Sequence, residues 1–301
     1  MKKIHLEYTD IPVLLPSIDF FIDSIEQNRY FHFLRVNHGV IDLIHLGYKD
    51  LSEFEKDFIT ENFEVIAEKM ISGSELDTFN NPFKIHHKNS DKLKEKIIIF
   101  LNVLKNNKSL SEKIDISVSL GVGLDTYWGV WPAEHPFQIG RKSVWKIIDK
   151  HKSIDFYYSG VLKHFAIKKE IFSFFELLNQ LNFSVIFVGR KYLNLYKNIF
   201  DIKNFHHIEI PPSGAIEYID DYIDSIKDID IKSENTIVLH SIGHILSGYI
   251  AHQLKDTKIF GLDIGISFDI LLKEKINHDW IHQWIALDEN HLNHIVDNLR
   301  K

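Results

Sequence analysis

Arg35, Asn37 and His38 stand almost side by side in Arg35-Val36-Asn37-His38-Gly39, between the apolar run YFHFLRV and a second apolar segment with helical spacing. A guanidinium, an amide and an imidazole placed where a strand gives out could bind an anion, orient a hydroxyl or carry a proton. The same kind of residue recurs after other apolar runs. These places are Gly121-Val122-Gly123-Leu124-Asp125, Ser159-Gly160, Gly189-Arg190-Lys191, Pro211-Pro212-Ser213-Gly214, His240-Ser241-Ile242-Gly243-His244 and Asp263-Ile264-Gly265. Small residues, donors and cations are what a rim needs to hold a diphosphate. Any one of these glycines could simply end a strand; it is their joint recurrence that points to a ligand site.

The elements that must position them alternate. The pattern predicts a helix over 17–27 opened by Ser17, a strand over 30–36, and a helix from a Ser52/Glu55 capping box to about Ile71. A long helix from Ser90, a strand over 114–120, a helix over 142–151 and a short strand over 155–160 follow. From Phe183 the order is most regular: strands over 183–189, 205–210, 235–240 and 258–265, with helical segments near 191–200, 214–227 and 243–254. Continuous apolar strands separated by helices predict a Rossmann-like α/β fold, a mostly parallel sheet flanked by helices. The expected organisation is one domain over 1–301, with 1–113 an N-terminal strand and helical elaboration and 114–301 the core. In such a sheet, ligands sit beyond the carboxyl ends of the strands.

Composition narrows the classes. The chain has 301 residues, 45% hydrophobic and 26% charged, enough for a large core. Its formal charge of −7, with signs interspersed, argues against a nucleic-acid partner. The absence of cysteine excludes disulfides, thiolate metal sites and a cysteine nucleophile. Acidic residues and prolines interrupt the N-terminal segment, and no apolar run matches a transmembrane segment, so a cytoplasmic protein is expected.

From Phe183 to Asp269 the chain runs FSVIFVG-Arg190, IPPSGAIEYID, TIVLHSIGHILSGYIAHQL and FGLDIGISFD. In its order of strand, proline, helix start, Gly-rich turn and closing Asp-Ile-Gly, this resembles the C-terminal half of the GT-D-type bacterial glycosyltransferases. FLRVNHGVID falls where that family has a serine-arginine-aromatic-glycine segment carrying Asp-x-Glu; Arg35 and Gly39 match, but His38 and Val40 replace the two acids. The resemblance implies a nucleotide-sugar donor, a UDP-sugar first, and a glycan or glycoprotein acceptor. It places the donor on Arg35, Asn37, Gly39, Gly189, Arg190, Pro211, Ser213, Gly214, Ser241, Gly243, His244, Asp263 and Gly265. Loss of the acidic pair leaves three outcomes open. Cations and helix N-termini carry the diphosphate without metal; or Asp42, Asp125, Asp263 or Asp269 supplies a carboxylate for Mn²⁺ or Mg²⁺; or only binding survives.

Glycosyl transfer needs positive charge on the leaving diphosphate and, in an inverting route, a base for the acceptor hydroxyl. Asp125 and His38 are the candidates for catalysis, though Asp125 could cap a turn and His38 could be a half-buried histidine. YWGVWPAEHPF packs Trp128, Trp131 and Glu134 into one stretch suited to stacking on a sugar, or to closing over the core. Lys163 and His164, near a strand end, complete the acceptor candidates. His278 and His282 have the spacing of a zinc pair, but no third ligand is identifiable. The C-terminal segment reads as a mixed polar helix, at most a docking or oligomer edge. DISVSLGVG resembles the first motif of S-adenosylmethionine-dependent methyltransferases, but a poor helix start follows it. A non-catalytic nucleotide- or sugar-binding protein is the third class.

Overall fold

The computed structural model describes residues 2–5, 12–36, 38–76, 90–106, 117–122, 136–151, 156–158, 161–211, 214–265 and 267–272. The strands are β1 (Lys2–His5), β2 (Pro12–Leu15), β3 (Phe31–Val36), β4 (Ser117–Val122), β5 (Phe156–Tyr158), β6 (Ser184–Gly189), β7 (Phe205–Glu209), β8 (Thr236–His240) and β9 (Ile259–Asp263). They form one sheet in the order β1-β2-β5-β4-β3-β9-β8-β6-β7. Every pairing is parallel except β1 with β2. The fold is therefore mixed α/β with a mostly parallel sheet, and β3, from the N-terminal part, sits in its middle.

The helices are α1 (Ile18–Glu26), α2 (His38–Gly47), α3 (Leu51–Ile59), α4 (Phe63–Leu76), α5 (Ser90–Lys105), α6 (Pro136–His151), α7 (Val161–Ile167), α8 (Ile171–Gln180), α9 (Tyr196–Ile199), α10 (Ile219–Asp230) and α11 (His244–Leu254). On one face, α6, α2, α4, α5 and α11 pack in a row. On the other, α1, α8 and α7 meet. There Phe21 of α1 sets its ring edge-on to Phe31 and Phe33 of β3, with centroids 5.5 and 5.3 Å apart. Alternate residues of β3 face opposite ways, so its phenylalanines pack under α1 while His32 turns towards the α11 side. β6, β8 and β9 are buried along their whole length, as strands covered on both faces must be. Among the described residues no helix is long and apolar enough to cross a membrane.

The expected helix from Ser52 to Ile71 is two helices. Its cap is Asp50, whose carboxylate accepts from the Ser52 N–H at 2.9 Å. Glu55 is not part of a capping box; it meets Lys150 and His151 of α6, each at 2.8 Å. The break follows α3, where Glu61 takes a left-handed φ of 58°. Lys105 stabilises it by donating to the Phe58 and Ile59 carbonyls, both at 2.6 Å, at the end of α3 where the regular helical bonds run out. α6 starts at Pro136, ahead of the expected Lys142, because proline at the first helical position loses no hydrogen bond. The segments near 191–200 and 214–227 each begin as a 3₁₀ turn, Lys191–Leu195 and Ala215–Tyr218. α7 and α8 were not anticipated from the pattern.

Candidate functional site

After β3 and β8 the chain turns to the face of α2 and α11; after β6 and β9 it turns to the opposite face, into the 3₁₀ turns Lys191–Leu195 and Asp269–Leu272. Connections that diverge like this open the strand ends into a crevice, the usual place for a ligand on a parallel sheet.

Arg35 leaves β3 into that crevice. Its Nε donates to Asp263 Oδ1 at 3.2 Å and its Nη1 to the Ser267 hydroxyl at 3.5 Å. Its side chain is 17% exposed against 1% for Asp263, so solvent, or a ligand, reaches the guanidinium and not the carboxylate. Asp263 also accepts from the Gly265 N–H at 3.1 Å, closing the turn after β9. Gly265 has a φ of 44°, and a Cβ there would run into the Arg35 guanidinium. Glycine is needed on both counts.

Asp269, 4% exposed, opens the next turn. It accepts from the Tyr196 hydroxyl at 2.8 Å and from the Tyr192 hydroxyl at 3.1 Å. Burial pushes its carboxyl up to about 6, held in check by the two tyrosine hydrogen bonds and by the charges of Arg35 and Arg190. Burial beside this carboxylate pushes the Tyr192 and Tyr196 hydroxyls up in turn. Arg190 is exposed at the end of β6. Two buried histidines lie further inside. His240 sits 3.0 Å from the Ser247 hydroxyl of α11. His32, opposite Gly261 in the register, has no hydrogen-bond partner on either ring nitrogen among the described residues. Burial and then the neighbouring His240 push His32 down to about 3, so it is neutral.

The structure thus brings Arg35, Asp263 and Gly265 together. It sets Gly189 against Ser241, whose N–H donates to the Val188 carbonyl at 2.9 Å, joining the ends of β6 and β8. His38 and His244 are the first residues of α2 and α11, Gly39 follows His38, and Gly243, with a φ of 88°, is the N-cap of α11. Gly214, left-handed, precedes the turn into α10, and Pro211 is half-buried after β7. Lys163 and His164 lie on α7, which packs against the Asp269–Leu272 turn. Asn37, Asp125, Trp128, Trp131, Glu134, Ser213, His278 and His282 lie outside the described residues. Tyr192, Tyr196 and Ser267 were missed. The signal for the tyrosines was their spacing of one helical turn directly after Gly189-Arg190.

The described stand-in carboxylates do not fit a divalent ion. Asp42 is bound through both oxygens by Arg141 of α6, Asp263 is held through Oδ1 by Arg35 and the Gly265 N–H, and Asp269 through both oxygens by two tyrosines. Among the described residues no three His, Asp or Glu side chains converge.

The fold is an open, mostly parallel α/β sheet with Arg35 and Arg190 at the ends of β3 and β6. No family model and no curated protein matches the chain. Two solved structures are similar to it. One, described as the selenomethionine-substituted structure of domain of unknown function 1792, is 14% identical with a TM-score of 0.45, over 87% of this chain and 82% of that one. The other, described as the highly conserved domain of unknown function 1792 with a distinct glycosyltransferase fold, is 15% identical with a TM-score of 0.47, over the same shares.

Proposed function

We propose that this chain is a cytoplasmic glycosyltransferase that moves a sugar from a nucleotide-sugar donor, a UDP-sugar first, to a glycan or glycoprotein acceptor. The observation that carries the reading is Arg35, a partly exposed guanidinium preoriented by Asp263 and Ser267 at the exit of a central strand. A departing diphosphate gains negative charge as the glycosidic bond breaks, and preset cations and amides lower the barrier by meeting that charge. Arg35 and Arg190 supply the cations. The first turn of α11 supplies N–H groups behind Gly243, which has no side chain to cap them. No step needs the missing acidic pair, and none is routed through Mn²⁺ or Mg²⁺. His38 and Asp125 remain the proposed proton acceptors, with Trp128, Trp131, Glu134, Lys163 and His164 on the acceptor side.

Arg35→Ala should weaken binding of UDP-sugars by more than about tenfold, the loss of one charge-assisted contact, in calorimetry with and without Mn²⁺. Unchanged affinity would return Arg35 to scaffolding. A second reading, binding without catalysis, is favoured by the loss of the Asp-x-Glu pair, whose positions His38 and Val40 take in this chain. Release of UDP on adding an acceptor separates the two, and S-adenosylmethionine serves as the control ligand.

A further inference from the structure

We propose that binding of a diphosphate at this rim is coupled to uptake of one proton by Asp269, because the carboxylate and the ligand compete for Arg35 and Arg190. The inference rests on the donor-site reading above and adds the group that responds when the donor arrives. Asp269 is almost wholly withdrawn from water, and its ionised form is sustained by two tyrosine hydroxyls and by the charges of those two arginines. The same arginines are the cations offered to the ligand. Tyr192 and Tyr196 hold the carboxylate; Arg35, paired to Asp263, reaches the same turn at the Ser267 hydroxyl, Arg190 stands two residues before Tyr192, and α7, which carries Lys163 and His164, packs against the Asp269–Leu272 turn.

A diphosphate takes up the field of both arginines and adds repulsion of its own, so the carboxylic acid form is favoured once it binds. The acid form needs no rearrangement of the turn, since its hydroxyl can donate to one tyrosine oxygen while the other tyrosine still donates to the carbonyl oxygen. The proton comes from solvent and no bond in the ligand changes. A protein that gains a proton on binding must bind more tightly as the pH falls. The free carboxyl already titrates at about 6, so the coupling is expressed near neutrality.

UDP-glucose, GDP-mannose and ADP-ribose are suitable probes, because their diphosphate diesters do not titrate in this range. Calorimetry in buffers of different ionisation enthalpy should show proton uptake. Affinity should rise roughly threefold to tenfold between about pH 7.5 and about pH 5.5, the equivalent of half to one unit of pKa. Asp269→Asn should abolish both effects. Tyr192→Phe, which removes one donor to the carboxylate, should move the pH dependence upward and reports on Asp269 even if the asparagine variant fails to fold. An unchanged pH profile in Asp269→Asn or Tyr192→Phe overturns the coupling. Binding that is independent of pH in the wild type also removes the coupling and leaves the donor site standing. Failure of all three ligands to bind either protein at any pH removes the donor site itself.

Discussion

Gly265 shows how one residue governs the rim. Its left-handed backbone and the guanidinium lying over it both exclude a side chain. Gly265→Ala should lower stability by about 1–3 kcal/mol, the cost of a strained backbone plus a clash, and should displace Arg35. In thermal unfolding, Gly265→Ala should cost less in an Arg35→Ala background than in the wild type, the difference being the clash and the remainder the backbone part. Equal costs in the two backgrounds would show that the guanidinium does not lie there. The glycine was legible in the sequence as a strand terminator with a rim position. That it is the seat of Arg35 was not, because the two are brought together only by the pairing of β3 with β9. Asp263 was named for the ligand and proves to hold Arg35 from a buried position.

At the scale of elements, α2 and α6 are tied by the two-pronged contact of Arg141 with Asp42. Both side chains are largely out of water. Removing one partner strands the other as a buried charge, a loss of about 3–5 kcal/mol. Asp42→Ala should therefore cost far more in urea unfolding than the pair Asp42→Leu/Arg141→Leu. Equal losses would mean that the contact is solvated and weak. Asp42 lies four residues after His38 in α2, so this tie also positions the start of α2. Periodicity located most helices, but it ran α3 and α4 together. The break between them depends on a lysine from α5, 47 residues further along the chain than Phe58, and no local pattern carries such a contact.

For the whole molecule, His32 is the reporter. It lies in the middle of the sheet beneath α11, buried and neutral, and is pushed down to about 3 from the ordinary histidine value of 6.5. The unfolded chain takes a proton as the pH falls below about 6.5, whereas the folded chain resists it until about 3, so acid favours unfolding across that window. Each pH unit in the window removes up to about 1.4 kcal/mol. Asp269 acts in the opposite sense between about 6 and 3.8, because the folded state holds its proton more tightly than the unfolded chain does. The difference between wild-type and His32→Leu urea curves, measured against pH, should display the histidine contribution alone. A constant difference across the window would place a polar partner at His32. The sequence by itself determined the α/β class, the parallel core strands and the rim positions of Arg35, Gly189, Arg190, Ser241 and Asp263, since apolar runs and the turns after them are written in local composition. Only the tertiary structure decided that Arg35 meets Asp263 and Ser267, that two tyrosines clasp Asp269, and that His32 lies buried against Gly261. Each of these joins residues far apart in the chain, and their energies arise from burial and charge in a shared interior that exists only once the sheet has assembled.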